Sequence, residues 1–390
     1  MKVAFQVAAR FGGTGLGYIS YQAVRGIRDA GMLAGVVCIS HAATDIDDDL
    51  ITEVRAVEKL SRLVPRRLAN KLGLDALLQQ NYFGFAAARQ LHNCDIVHGY
   101  TGQMLETINC AHRSGIRCVL DRPNTHVNYL RRAMRSEYAK YDVPFAPYSE
   151  RQAQREADEL DLADAVVTCS RFAKETMVEE GVEESKVHVV PYGVDLDLFR
   201  PAPRAECGGP FRVAFAGLIC LRKGVQYLLE AWDQLALPDS ELVLQGHLLD
   251  DAVGVVQYYA NRFPFTILAH SENMGDVCRL YNSADVCVFP SVEDGFGMVV
   301  AEAMACNRPV VVTDRMGAAE LVREGADGYV IPGADVDALK ERLAYLHGRR
   351  DSSIGAEGRS RLAQLTWANY QARLLDVYSV MGAQCESLCR

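Results

Sequence analysis

The stretch from Pro290 to Thr313, PSVEDGFGMVVAEAMACNRPVVVT, narrows the possible folds more than any other part of the chain. An apolar strand, Ala284 to Phe289, runs into it. An acidic loop broken by glycine follows (Glu293, Asp294, Gly295, Phe296, Gly297). A helix then carries one carboxylate, Glu302, among Met298, Val299, Ala301, Ala303, Met304 and Ala305. Asn307-Arg308-Pro309 ends that helix, and Val310 to Thr313 reads as the next buried strand. A strand-loop-helix-strand unit puts its loop at the carboxyl edge of a parallel sheet, where such folds bind ligands. Asp294 on the loop and Glu302 two turns into the helix are therefore expected to face one crevice. Acceptor-only side chains suit a ligand rich in hydroxyls. The backbone N–H groups at the helix start, around Phe296 to Met298, suit an anion. Together they point to a sugar attached to a phosphate.

At 390 residues the chain exceeds what one core normally serves, so two domains are expected. A net charge of −9 argues against nucleic acid as a partner. No apolar run approaches the ~18 residues of a membrane span, and the opening MKVAFQVAAR reads as a first strand rather than a leader. The cysteines form no C-x-x-C pair. Cys38, Cys169, Cys220, Cys287 and Cys306 lie in apolar contexts, as buried reduced thiols of a cytoplasmic protein would.

In the first half, strand Val3–Ala8 leads into GGTGLG (Gly12 to Gly17) and a helix from about Tyr18 to Ala30, a unit able to cradle phosphate. A dinucleotide site would want an acid at the end of the second strand. Ser40-His41 stands there instead, which removes most of the support for a dehydrogenase. Gly12 and Gly13 remain as places where backbone could approach a ligand. Asp45-Ile46-Asp47-Asp48-Asp49 contains a D-x-D pattern, but a solvated acidic loop or helix start is the better reading, with helix from Leu50 onward. The basic, leucine-interleaved stretch 55–71 is a candidate for peripheral contact with an anionic membrane face. His98 is expected at the carboxyl edge after one strand. Arg122 and His126 follow another strand, Arg117 to Leu120, and His126 is expected in a cleft. Residues 128–160 read as an inserted helical segment where an acceptor could dock.

The second half opens after a Pro-rich linker, Pro201 to Pro210. Strand Phe211–Ala216 is followed by a loop holding Arg222 and Lys223. Two fixed cations at a helix entrance suit a diphosphate, and they stabilise a leaving diphosphate more as its charge grows. Trp367 to Met381 is a final amphipathic helix.

These motifs, in this order, resemble glycosyltransferase family 4, whose members are retaining enzymes of the GT-B fold. That family usually reads Glu-x7-Glu with the first Glu just before Gly-Phe-Gly. Here Asp294 holds that place, with Glu293 one residue earlier, and Leu218 stands where the family has an Arg. The resemblance implies two doubly wound Rossmann-like domains facing a cleft. The acceptor domain would be residues 1–200, rejoined by a helix at about 366–390, and the donor domain residues 201–365. It implies transfer of a sugar from a nucleotide sugar to an acceptor hydroxyl, with no metal and no other cofactor. In the donor site, Arg222 and Lys223 would hold the diphosphate, Glu302 the ribose, and Asp294 or Glu293 the sugar hydroxyls. Gly13 and the backbone from Gly295 through Phe296 and Gly297 to Met298 would complete it. His126 would lie near the reacting carbon, with Gly12, His98 and Arg122 toward the acceptor. A nucleotide-sugar epimerase of similar architecture, or a sugar-nucleotide-binding protein without catalysis, fits the same residues.

Overall fold

The computed structural model describes residues 1–54, 74–144, 149–202, 209–349 and 353–388. It divides into two compact units. Unit 1 takes residues 1–131, 145–192 and 367–390, and unit 2 takes residues 132–144 and 193–366. The basic stretch 55–71 lies outside the described residues. Among the described residues, no helix is long and apolar enough to cross a membrane.

Unit 1 is built on a sheet of seven parallel strands: β1 (Val3–Phe11), β2 (Leu33–His41), β3 (Ile51–Glu53), β4 (Ile96–Tyr100), β5 (Arg117–Arg122), β6 (Ala165–Thr168) and β7 (Val187–Val189). Their order is β3-β2-β1-β4-β5-β6-β7. The connecting helices are α1 (Leu16–Asp29), α2 (Leu74–Ala88), α3 (Leu105–Arg113), α4 (Val127–Lys140, whose residues 132–140 belong to unit 2), α5 (Glu150–Leu162) and α6 (Arg171–Glu179). β4 and β6 are buried along their whole length. Helices covering both faces of a parallel sheet produce such runs. The expected helix from Leu50 onward is corrected here. Asp47 caps a single 3-10 turn, Asp48–Leu50, and the chain then extends as edge strand β3 beside β2. Ile51 and Thr52 are β-branched and suit that edge.

Unit 2 repeats the plan with six parallel strands: β8 (Phe211–Ala216), β9 (Ser240–Gln245), β10 (Thr266–Leu268), β11 (Val286–Phe289), β12 (Val310–Thr313) and β13 (Gly328–Ile331). Their order is β10-β9-β8-β11-β12-β13. The helices are α7 (Val225–Leu235), α8 (Val253–Ala260), α9 (Met274–Ser283), α10 (Met298–Ala305), α11 (Val336–Arg349) and α12 (Gly358–Arg361). The core gathers Phe211, Val213 and Phe215 of β8 with Leu228, Leu229 and Trp232 of α7 and Leu339 and Leu343 of α11.

The last helix, α13 (Trp367–Leu388), belongs to unit 1. It lies against α1 so closely that a Cβ on Gly26 would sit 2.7 Å from the Gln371 Cβ. Gln371 Nε2 donates to the Gln22 carbonyl at 2.9 Å. Cys38, Cys118, Cys220, Cys287 and Cys306 are buried free thiols, and the buried Cys169 thiol donates to the Pro123 carbonyl at 3.1 Å.

Candidate functional site

In unit 2 the strand order reverses between β8 and β11. The loops leaving the carboxyl ends of two strands that flank such a reversal diverge, and the crevice they leave is where open α/β sheets bind ligands. The two loops here are Gly217–Gly224 and Pro290–Gly297. Gly224 adopts φ +72°, and a Cβ on it would lie 1.8 Å from the Pro290 carbonyl oxygen, so only glycine lets the loops meet. Val292 N–H then donates to the Arg222 carbonyl at 2.9 Å. The loop after β11 is also clasped to the one after β12: Asp294 N–H donates to Arg315 O at 2.9 Å, and Gly317 N–H to Asp294 O at 3.0 Å.

This clasp assembles four charged side chains expected from the sequence. Arg222 Nη1 lies 3.0 Å from Glu293 Oε2, and the Lys223 ammonium contacts Asp294 Oδ2. Burial pushes the Asp294 carboxyl up, but Lys223 and Arg222, with the Phe296 N–H, outweigh it and hold the group below its ordinary range. Burial likewise works against the Arg222 charge, and Glu293 and Asp294 reverse the shift and raise its pKa. The four groups form two adjacent ion pairs. The cations remain reachable, Arg222 at 26% exposed and Lys223 at 17%, whereas Glu293 is wholly buried. Gly295, Phe296 and Gly297 are buried, and Gly297 caps α10, whose first residue is Met298.

Glu302 does not join that cluster through any direct bond. It is buried on α10 and accepts a hydrogen bond from Tyr281 Oη of α9 at 3.1 Å. Burial pushes its carboxyl up to about 7, and Tyr281 offsets only part of the cost. Tyr281 was not expected from the sequence, where its place on an otherwise apolar helix face was its one signal.

Unit 1 has its own reversal, between β1 and β4, but the candidates there are differently placed. Gly12 and Gly13 do not offer their amides to a ligand. Gly12 N–H donates to Gly17 O at 3.1 Å and Gly13 N–H to Arg10 O at 3.0 Å, while a Cβ on Gly12 would strike Thr44. The open glycine is Gly15, at the start of α1, where a Cβ would meet nothing within 4 Å.

His98 is not in a loop. β4 continues through Tyr100, so the ring is fully buried, 4.8 Å from Phe5 between centroids, with Nδ1 2.6 Å from Tyr378 Oη. Burial lowers its pKa to about 3, and it is a neutral core histidine. Arg122 is also strand, the last residue of β5. Its Nε donates to Thr125 O at 2.9 Å and its Nη1 to Thr101 Oγ1 at 3.1 Å and to Glu156, so the guanidinium ties the interior together. His126 stands just before α4. Its Nδ1 accepts the Asn128 N–H at 3.2 Å, which caps the helix and leaves Nε2–H as the ring's donor.

The acidic run at Asp45–Asp49 is engaged within the chain. Tyr21 Oη donates to Asp45 at 2.7 Å and Arg28 Nη1 lies 3.0 Å from it. Among the described residues, His112, Cys118 and Asp164 bring potential metal ligands within 4.8 Å of one another. They sit at the amino edge of the unit 1 sheet, and Asp164 Oδ2 already holds Cys118 N–H at 2.8 Å and His112 Nε2 at 3.1 Å.

Comparison with known proteins agrees with this architecture. Residues 14–198 match the family described as Glycosyltransferase Family 4, and residues 210–348 match Glycosyl transferases group 1. A D-inositol 3-phosphate glycosyltransferase of Xylanimonas cellulosilytica is 30% identical over 291 residues, 66% of this chain and 66% of that protein. Its counterpart in Mycolicibacterium smegmatis is 28% identical over 61% of this chain and 56% of its own length. The chain thus spans just under two thirds of the first of these relatives and little over half of the second. Among solved structures, sucrose-phosphate synthase of Thermosynechococcus elongatus superposes with a TM-score of 0.72 at 20% identity, covering 98% of this chain and 100% of that one. Anabaena HepE in complex with UDP and glucose gives 0.71 at 16% identity, covering 97% and 99%. The fold is GT-B, and the two family matches together with the curated relatives make this a glycosyltransferase family 4-like protein.

Proposed function

We propose that the protein transfers a sugar, with retention of configuration, from a nucleoside diphosphate sugar to an acceptor hydroxyl. The observation that carries this reading is the pairing of Arg222 and Lys223 with Glu293 and Asp294 on the two loops that flank the strand reversal of unit 2. The two cations and two carboxylates balance in charge. Arg has five N–H donors and Lys three, so each can keep its carboxylate and still take a phosphate oxygen. As the bond from the anomeric carbon to phosphate breaks, charge accumulates on the leaving diphosphate, and fixed cations are worth most at that moment. The acceptor oxygen then bonds to the same face of the carbon, and its proton passes to the departing phosphate oxygen. No protein nucleophile is required. Positive charge comes from the chain itself, so the reaction is proposed to need no metal.

Asp294 rather than Glu293 is assigned to the sugar hydroxyls, because the Asp294 side chain keeps 9% exposure where Glu293 has none. Glu302, with Tyr281 supporting one oxygen, is assigned to the ribose hydroxyls. His126, the residue just before α4, is kept as a proposed contributor near the reacting carbon. His98 is withdrawn from acceptor binding, since its ring is committed to the interior of unit 1, while Arg122, buried and held by Thr125, Thr101 and Glu156, keeps one amine, Nη2, without a partner among the described residues.

A thermal-shift screen of UDP-, GDP- and ADP-sugars tests the donor, since a ligand bound to the native state raises stability by mass action. UDP-sugars come first because one fold neighbour holds UDP. Phosphorylated polyols join the acceptor panel because curated relatives are named for D-inositol 3-phosphate. One donor class should stabilise the protein, and products should form only when an acceptor is added, with or without EDTA. Isomerised donor without acceptor would identify an epimerase, and binding without turnover across the panel a non-catalytic protein. Activity lost in EDTA and restored by Mg²⁺ would overturn the metal-independent scheme.

A further inference from the structure

The one-turn 3-10 helix Leu221–Lys223, which presents both cations, is gripped at its first residue by two side chains. Asp251 Oδ2 accepts the Leu221 N–H at 3.3 Å, and Gln226 Nε2 donates to the Leu221 carbonyl at 2.9 Å. Each gripping side chain is backed by a residue of the same short segment, the part of α4 that belongs to unit 2. Tyr138 Oη donates to the same Asp251 oxygen at 2.6 Å. Glu137 accepts from Gln226 Nε2 at 2.7 Å, from Tyr227 Oη at 2.8 Å and from Lys140 Nζ at 2.9 Å. Two neighbouring side chains, 137 and 138, thereby reach the N–H and the C=O of one peptide residue by two separate routes.

This polar arrangement needs a reason, because Glu137 is 2% exposed and Tyr138 7%. Burying a carboxylate is costly, and a well-packed apolar residue generally stabilises such a place as well or better. Directional bonds offer instead a fixed position for the backbone they hold. Displacing a binding group by about 1 Å can cost on the order of 10²-fold in rate.

We propose that Glu137 and Tyr138 are positioning residues for the donor diphosphate, holding the Leu221–Lys223 turn so that Arg222 and Lys223 meet its two phosphates together. The proposal rests on the donor reading above. Neither residue touches the ligand. Both act through Asp251 and Gln226 on the Leu221 peptide groups.

Tyr138→Phe tests this with the loss of one hydroxyl. Wild type and variant are titrated with UDP, GDP and ADP. Steady-state kinetics use the matching nucleotide sugar, and hydrogen exchange is followed at residues 217–224 without nucleotide. The expected result is faster exchange over that segment, roughly tenfold weaker binding of the nucleoside diphosphate, as for loss of one hydrogen bond to a charged group, and a fall in kcat at saturating donor. Asp251→Asn in the Tyr138→Phe background should add little, because both act in one contact. Unchanged affinity and kcat in Tyr138→Phe, or fully additive losses in the double variant, would overturn the positioning role while leaving the donor reading intact. A wild-type chain that binds none of the three nucleotides would overturn the donor reading, and this proposal with it.

Discussion

The two units share one plan, a parallel sheet whose strand order reverses near its middle, yet they use that reversal differently. In unit 2 the charged groups stand on the loops beyond the strand ends, paired with one another and open to solvent on the cation side. In unit 1 the residues that resemble site residues, His98 and Arg122, are still within strands and are buried. The difference comes down to where each strand stops. β11 ends at Phe289, four residues before Glu293, whereas β4 runs two residues beyond His98 and β5 runs through Arg122. A polar residue beyond a strand end meets solvent or ligand, and one within a central parallel strand must be satisfied by the protein.

The sharpest way to break this contrast is to remove a cation from unit 2. Lys223→Ala should lower turnover by about 10²–10³-fold, the loss expected for a contact to transition-state charge. The Asp294 carboxylate would be left buried without its partner, so Lys223→Ala with Asp294→Asn is measured beside it. Turnover should stay low in the double variant while any lost thermal stability is partly recovered. Near-normal turnover in either variant would remove Lys223 from the diphosphate site.

Much of unit 2 was legible in the sequence. The apolar runs of β8, β11 and β12 end in glycine-broken polar loops, and the residues that carry the chemistry follow those endings directly. Unit 1 was harder to read for a physical reason. His98 follows two apolar residues and precedes Gly99, a pattern that looks like a strand end, but Tyr100 is itself core, and its partner ring Tyr378 arrives from α13, 280 residues away in sequence. Leu50 onward had helical residues after an acidic start, yet pairing with β2 draws Ile51–Glu53 into an edge strand, a tertiary effect that local propensity does not report. The grip on Leu221 was equally hidden, because Glu137 and Tyr138 come from a helix more than eighty residues upstream.

Unit 1 supplies the next test, with the readouts reversed. His98→Phe keeps an aromatic ring against Phe5 but leaves the buried Tyr378 hydroxyl without its partner at 2.6 Å. Stability should fall by about 1–3 kcal/mol, the cost of a buried polar group left unsatisfied. Below the unfolding transition, kcat and the KM for acceptor should stay close to wild type. A raised acceptor KM with unchanged denaturation midpoint would return His98 to the acceptor site.

The gentlest test uses pH, because each unit holds a buried carboxyl whose pKa is raised. Glu302 in unit 2 is pushed up to about 7, and Asp121 in unit 1 to about 8, with no hydrogen-bond donor on either Asp121 oxygen. Ribose hydroxyls donating to Glu302 would favour its ionised form. Nucleotide affinity should therefore rise with pH up to about 7 and then level off, by at most about 1.4 kcal/mol per pH unit. Glu302→Gln should abolish that slope. Asp121 is buried within strand β5, so its shift is expected to appear in stability. A raised folded pKa means the contribution is complete below the ordinary value of 3.8 and is lost as pH climbs through about 8. Glu302 and Glu159, both raised to about 7, lose stability in the same direction but complete most of that loss earlier. The decline that continues between about pH 7 and pH 8 should thus disappear chiefly in Asp121→Asn, with nucleotide affinity unaffected. A change in nucleotide affinity in Asp121→Asn, or none in Glu302→Gln, would erase the distinction between a carboxyl kept for a ligand and one kept by the core.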